Sequence, residues 1–147
     1  MRRAEGFTII ELAVVIMTLM ILVLTAIPFY NTYMQRVHGS EAQVMVKQIL
    51  DAEIMYYLEH ESFYPPNVGD TIVILNTDPP NKLEIRQVLE KLNVLIPVGH
   101  NLSFTIQNTG ETCMVTVNSP LNAFALFADG DTDIVGEVDK EGKVDIY

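Results

Sequence analysis

The chain has 147 residues, 49% of them hydrophobic, a single cysteine and a formal net charge of −10. That length suits one domain with a real core, or a small domain plus an anchor. A lone cysteine excludes an intrachain disulfide, and the acidic balance repels nucleic acid, so no direct binding to a phosphate backbone is expected.

The chain opens with Arg2 and Arg3, and an apolar run follows. No charged side chain stands between Leu12 and Gln35, and Thr18 and Thr25 are weak polar breaks. An apolar run of at least ~18 residues reads as a membrane span. The arginines before it place the N-terminus in the cytoplasm by the positive-inside rule. A cleaved secretory signal is one alternative. Such a signal has an apolar core of about 7–15 residues and a small-residue cleavage site; this core is longer, and Leu24-Thr25-Ala26 is a poor site. A plain single-pass anchor is another alternative, and it leaves the residues before Leu12 unexplained.

Those residues are Gly6-Phe7-Thr8-Ile9-Ile10-Glu11-Leu12. A short basic leader, a glycine, a phenylalanine, a glutamate as the fifth residue after the glycine and an uninterrupted apolar run resemble the type IV pilin family. The family is taken in the broad sense that includes type II secretion pseudopilins. Pro28, Tyr30 and Tyr33 also stand where many such pilins have a proline and aromatics. The resemblance implies a leader (1–6), a hydrophobic transmembrane and filament-core helix (7–35) and a globular head (36–147). It implies that a prepilin peptidase cuts between Gly6 and Phe7 and methylates the new Phe7 amine. A six-residue leader followed by phenylalanine looks like the type IVa class. It further implies that Glu11 of one subunit neutralises the Phe7 amine of a neighbour as helices pack into a filament. The implied partners are copies of the chain, the peptidase, an inner-membrane assembly platform and, before assembly, the inner membrane itself. The destination is an extracellular pilus or a periplasmic pseudopilus. Adhesion, twitching movement, DNA uptake and secretion are family-level roles.

Glu11 also has a local reading. Thr8-Ile9-Ile10-Glu11 is a T-x-x-E capping box, and a carboxylate in the first turn suits the helix dipole. These effects are worth about 1 kcal/mol. A carboxylate at the bilayer centre costs ~2.5–3.5 kcal/mol on insertion scales, and less near the edge. Capping alone therefore offsets the cost only near the headgroups. Pairing is the stronger compensation, because breaking a buried ion pair costs a few kcal/mol. Pro28 lies inside the helical pattern and is expected to kink or loosen it in the preceding turn. Tyr30 and Tyr33 suit an interfacial aromatic belt.

Beyond the apolar run, Ala42, Met45, Ile49, Ala52 and Tyr56 recur at helical spacing. One helix from Phe7 to Glu59 would span roughly 80 Å at 1.5 Å per residue. Gly39 weakens it locally without ending it. The stretch 62–70, "SFYPPNVGD", is a breaker. Thr71–Leu75 is β-like, and Leu83, Val88 and Leu92 predict a short helix over Lys82–Leu92. Alternation predicts strands at Leu102–Gln107 and Thr112–Asn118, joined by a hairpin at Asn108-Thr109-Gly110-Glu111. Asn122–Ala128 reads as a further strand, and Ile134–Val138 and Lys143–Ile146 as short ones. The expected fold is α+β, with a long N-terminal helix packed on an antiparallel sheet of about four strands.

The most pointed polar cluster is Asp129, Asp131 and Asp133. Alternating aspartates can converge on calcium. The EF-hand spacing fails, because the twelfth position counted from Asp129 is Lys140, and from Asp131 it is Gly142. The competing reading is a solvated acidic turn, and no cofactor is otherwise expected. His38, His60 and His100 are scattered, Cys113 sits on a strand pattern as a small core residue, and no catalytic motif is present. The chain therefore reads as a structural filament subunit without enzymatic activity. The alternatives are a type II secretion pseudopilin and an N-terminally anchored periplasmic binding module that never polymerises.

Overall fold

The computed structural model describes residues 7–77, 79–119 and 125–147. Helix α1 (Ile9–His60) comes first, followed by β1 (Thr71–Ile74), α2 (Lys82–Leu92), β2 (Ser103–Asn108), β3 (Thr112–Asn118), β4 (Asp133–Asp139) and β5 (Val144–Ile146). The chain divides into two compact units, Met1–Met34 and Gln35–Tyr147.

In the first unit, α1 is apolar all round, and nearly every side chain is exposed. The helix passes through Pro28 without interruption. Thr18, Thr25 and Thr32 fold their hydroxyls back onto backbone carbonyls of the preceding turn. Such back-bonding lets a threonine sit on an apolar surface with its donor satisfied.

The second unit is built on the later part of α1. Ala42, Met45, Val46, Ile49, Leu50 and Tyr56 are buried at spacings of three and four, as an amphipathic helix requires. Their partner is a five-stranded antiparallel sheet in the order β1-β2-β3-β4-β5. One face of each central strand is buried. Phe104 and Ile106 on β2 pair with Val117 and Val115 on β3. Val117 and Cys113 pair in turn with Ile134 and Val138 on β4. In α2, Ile85, Val88 and Leu92 are buried, whereas Leu83 is exposed; Ile85, rather than Leu83, completes its apolar face. Asn93 closes α2 in a left-handed conformation, and its N–H donates to the Leu89 carbonyl (3.1 Å).

Two glycines set the packing distances of this unit. Gly39 on α1 lies against the backbone at Leu126, where an added Cβ would fall well inside 3.0 Å of the Leu126 carbonyl oxygen. Gly136 on β4 lies under α1, where an added Cβ would stand 2.5 Å from Val46 Cγ1 and 2.6 Å from Leu50 Cδ1. Helix and sheet approach this closely because β4 presents no side chain there.

Among the described residues the sheet has five strands, in keeping with the expected antiparallel sheet of about four, and the described part of the strand expected at Asn122–Ala128 is not among them. Residues 122–124 fall outside the described residues, and 125–128 form a bend and turn. The N–H groups of Leu126 and Phe127 both donate to the Asp131 carbonyl (2.7 and 3.3 Å), and Gly130 N–H donates to Phe127 (3.2 Å). With its backbone groups used inside a tight turn, this apolar stretch packs Leu126 into the core without joining a ladder.

Candidate functional site

Glu11 and Thr8 form a complete capping box at the head of α1. Thr8 N–H donates to Glu11 Oε2 (2.9 Å), and Glu11 N–H donates to Thr8 Oγ1 (3.3 Å). The Thr8 hydroxyl donates to the same Oε2 (2.7 Å). Two of the donors orphaned at a helix start are thereby satisfied. Both hydrogen bonds accepted by the Glu11 carboxylate among the described residues fall on Oε2. Phe7, just before the cap, is 81% exposed. Gly6, the other side of the expected cleavage point, lies outside the described residues.

Behind this cap α1 carries a membrane-length apolar surface. Its most apolar 18-residue window has a mean hydropathy of 2.7 and is 0% buried within the chain. By length and composition it can cross a bilayer. A helix apolar on every side is stable only in lipid or against other apolar surfaces. Phe29, Tyr30 and Tyr33 are exposed at its far end. Pro28 has no N–H to give the carbonyl four residues before it, while its own carbonyl accepts the Thr32 hydroxyl (3.0 Å).

Among the described residues, no three His, Cys, Asp or Glu side chains come together to hold an ion. Asp129 instead uses its carboxylate in a local turn, where Oδ1 accepts the Asp131 N–H (3.2 Å). Asp133 opens β4, opposite Asn118. Cys113 is fully buried, and burial pushes its thiol well above the usual range, which disfavours the thiolate. His60 stacks on Tyr56 (centroids 4.0 Å apart), and His100 Nδ1 contacts the Leu102 carbonyl.

Two buried polar residues make contacts that the sequence does not announce. Glu53 is 0% exposed and sits on the apolar stripe of α1, between Ile49 and Tyr56. Its Oε2 accepts the Tyr64 N–H (2.9 Å), and its Oε1 has no hydrogen-bond partner among the described residues. Burial pushes its pKa up to about 8, against the opposing effects of the Tyr64 N–H and the Cys113 thiol. Asn108, at the end of β2, donates through Nδ2 to the carbonyls of Phe63 (3.0 Å) and Pro65 (2.8 Å). Its Oδ1 accepts the Gly110 N–H (2.8 Å). One side chain thus shapes the β2–β3 turn and ties down the segment that follows α1. Asn108 is legible in the sequence as a hairpin residue but not as a tie to the segment after α1, and Glu53 shows only as a charged residue inside an apolar stripe.

No protein-family model matches the chain, and no solved structure does. Curated relatives do. The chain is 38% identical over 74 residues to a fimbrial protein of Neisseria meningitidis, covering 50% of this chain and 43% of that one. It is 33% identical over 86 residues to a type IV major pilin protein, PilE1, of Neisseria gonorrhoeae, covering 58% of this chain and 50% of that one. A second PilE1 pilin of the same species matches at 33% over 86 residues, covering 46% of its length. The chain spans about half the length of the curated relatives it matches. With its capped apolar helix and its α+β head, the chain is similar to type IV pilins, and these relatives support that family for it.

Proposed function

We propose that the chain is a structural subunit of a type IV pilus-like filament, with assembly rather than turnover as its activity. The observation that carries this reading is the apolar helix headed by Glu11, whose surface the chain itself leaves uncovered. In this reading a prepilin peptidase cuts between Gly6 and Phe7 and methylates the Phe7 amine. The helix waits in the inner membrane, N-terminus in the cytoplasm, until the assembly platform extracts it. Extraction exchanges lipid for the helices of neighbouring copies.

Glu11 then has two jobs that do not compete. Its Oε2 caps its own helix, and its Oε1 is available to the Phe7 amine of a neighbour. The pair fixes register, because a charge buried without its partner costs a few kcal/mol. Pro28, lacking its N–H, provides a place where the helix can loosen as copies pack. The head, with its acidic surface, forms the outside.

Mass spectrometry of the mature N-terminus tests the processing step. The expected species begins at an N-methylated Phe7; an uncut Gly6–Phe7 bond would leave a plain anchor, and the proposal would fail. Glu11→Ala tests the pairing. Loss of a pair worth about 3 kcal/mol corresponds to roughly a hundredfold loss in incorporation, with the head still folded. Filaments formed normally by that variant would sink the pairing. Immunogold labelling then separates a surface fibre from a periplasmic secretion pseudopilus.

A further inference from the structure

Residues 61–70 leave α1 and return to the sheet at β1, and three kinds of contact hold them down. Phe63 and Tyr64 are buried in the core. Asn108 binds the carbonyls of Phe63 and Pro65, and its own backbone exchanges bonds with Gly69 (2.7 Å) and Asp70 (3.2 Å). The third contact is the Glu53 carboxyl on the Tyr64 N–H.

That carboxyl is an unusual choice for a core. The titratable groups facing it are Tyr56 from its own helix, Tyr64 from the segment and Cys113 from β3. None of them is a cation. Burial pushes the Tyr56 and Tyr64 phenols and the Cys113 thiol upward, so all three stay uncharged around neutrality. A carboxylate formed there would be charged, buried and unpaired, with Oε1 unsatisfied. Water is the remedy closest to hand, and the covering segment stands in its way.

We propose that Glu53 is a proton-operated latch: as an uncharged acid it seals residues 61–70 onto the head, and loss of its proton releases that segment as a unit of its own. The head is then most tightly closed in acid and opens locally as the medium becomes neutral to mildly alkaline. Closure favours the protonated form up to about pH 8, whereas an opened, hydrated Glu53 ionises near 4.5. Opening therefore becomes tenfold more frequent per pH unit between those values and levels off above them.

Amide hydrogen exchange of the full chain in detergent micelles, from pH 5 to 9 and corrected for intrinsic exchange rates, tests this. Protection across 61–70 is expected to fall about tenfold per pH unit up to pH 8 and then to level off. At every pH it should stay below that of β3. In Glu53→Gln the 61–70 amides should lose this pH dependence. Three results would overturn the latch. One is protection across 61–70 that does not change with pH, or changes equally in Glu53→Gln. Another is identical protection of 61–70 and β3, which would mean only global opening. The last, read on the unaltered chain in case the variant does not fold, is a Glu53 carboxyl carbon whose NMR shift titrates in the ordinary carboxylate range.

Discussion

Gly39→Ala puts the packing of the second unit to a direct test. In an exposed helix interior this substitution stabilises by about 1 kcal/mol, because glycine is the worst ordinary helix former and alanine the best. Here the new methyl would fall well inside 3.0 Å of the Leu126 carbonyl oxygen and 3.5 Å from the Phe127 ring. The obstacle is backbone, so no side-chain rotation relieves it. The segment at 126–127 must move, and with it the Phe127 carbonyl that accepts from Gln35 Nε2. Overpacking of this kind costs about 1–3 kcal/mol, and losing the Gln35 bond adds about 1 kcal/mol. After subtraction of the propensity gain, a net destabilisation of about 1–3 kcal/mol is expected. Urea denaturation of the full chain in detergent, followed by tyrosine fluorescence, measures it. Ser40→Ala, one position along and exposed, serves as the propensity control and should be neutral or slightly stabilising. A Gly39→Ala chain as stable as the Ser40→Ala control would refute the close approach at Leu126.

Further outcomes follow from the same contacts. Gly136→Ala should cost about 1–3 kcal/mol by pressing on Val46 and Leu50, and Val46→Ala in the same chain should recover part of it in a double-mutant cycle. Asn108→Ala should cost about 2–4 kcal/mol in urea denaturation, since it strips the donor from two carbonyls at once. The pH dependence of global stability has a definite sign. Glu53 sits near 8 in the folded chain against an ordinary 4.5, so its contribution is full below pH 4.5 and is lost as the pH rises to 8. At about 1.36 kcal/mol per unit the total is about 5 kcal/mol. Denaturation midpoints at pH 5 and pH 8 should differ accordingly in the wild type and much less in Glu53→Gln.

Much of this architecture was legible because it follows from periodicity. The α2 bounds, Lys82–Leu92, and the β3 bounds, Thr112–Asn118, emerge from spacing alone, and α1 starts and stops within two residues of its expected limits. The Thr8–Glu11 cap was legible for the same reason, as a pattern that closes within one turn. What escaped was set by distant partners. Ala125-Leu126-Phe127-Ala128 looks like a strand because it is apolar, yet its apolarity serves contacts near Gly39. Asn108 looks like a turn residue, and it is one, but its amide also reaches back 45 residues to Phe63. Gly136 alternates correctly within β4, and nothing local announces that two helix side chains occupy the space its side chain would fill.

The strictly sequential strand order has a consequence for how the head is made. Every strand pairs only with its neighbours along the chain. The β2–β3 and β4–β5 hairpins close over a few residues each, and such short-range closures are the fast steps of folding. The slow contact is the one that seats Val46 and Leu50 over Gly136, across some ninety positions of chain. The sheet can thus zip from local hairpins and leave the helix-to-sheet closure for last. The Cβ missing at position 136 keeps that final seat open.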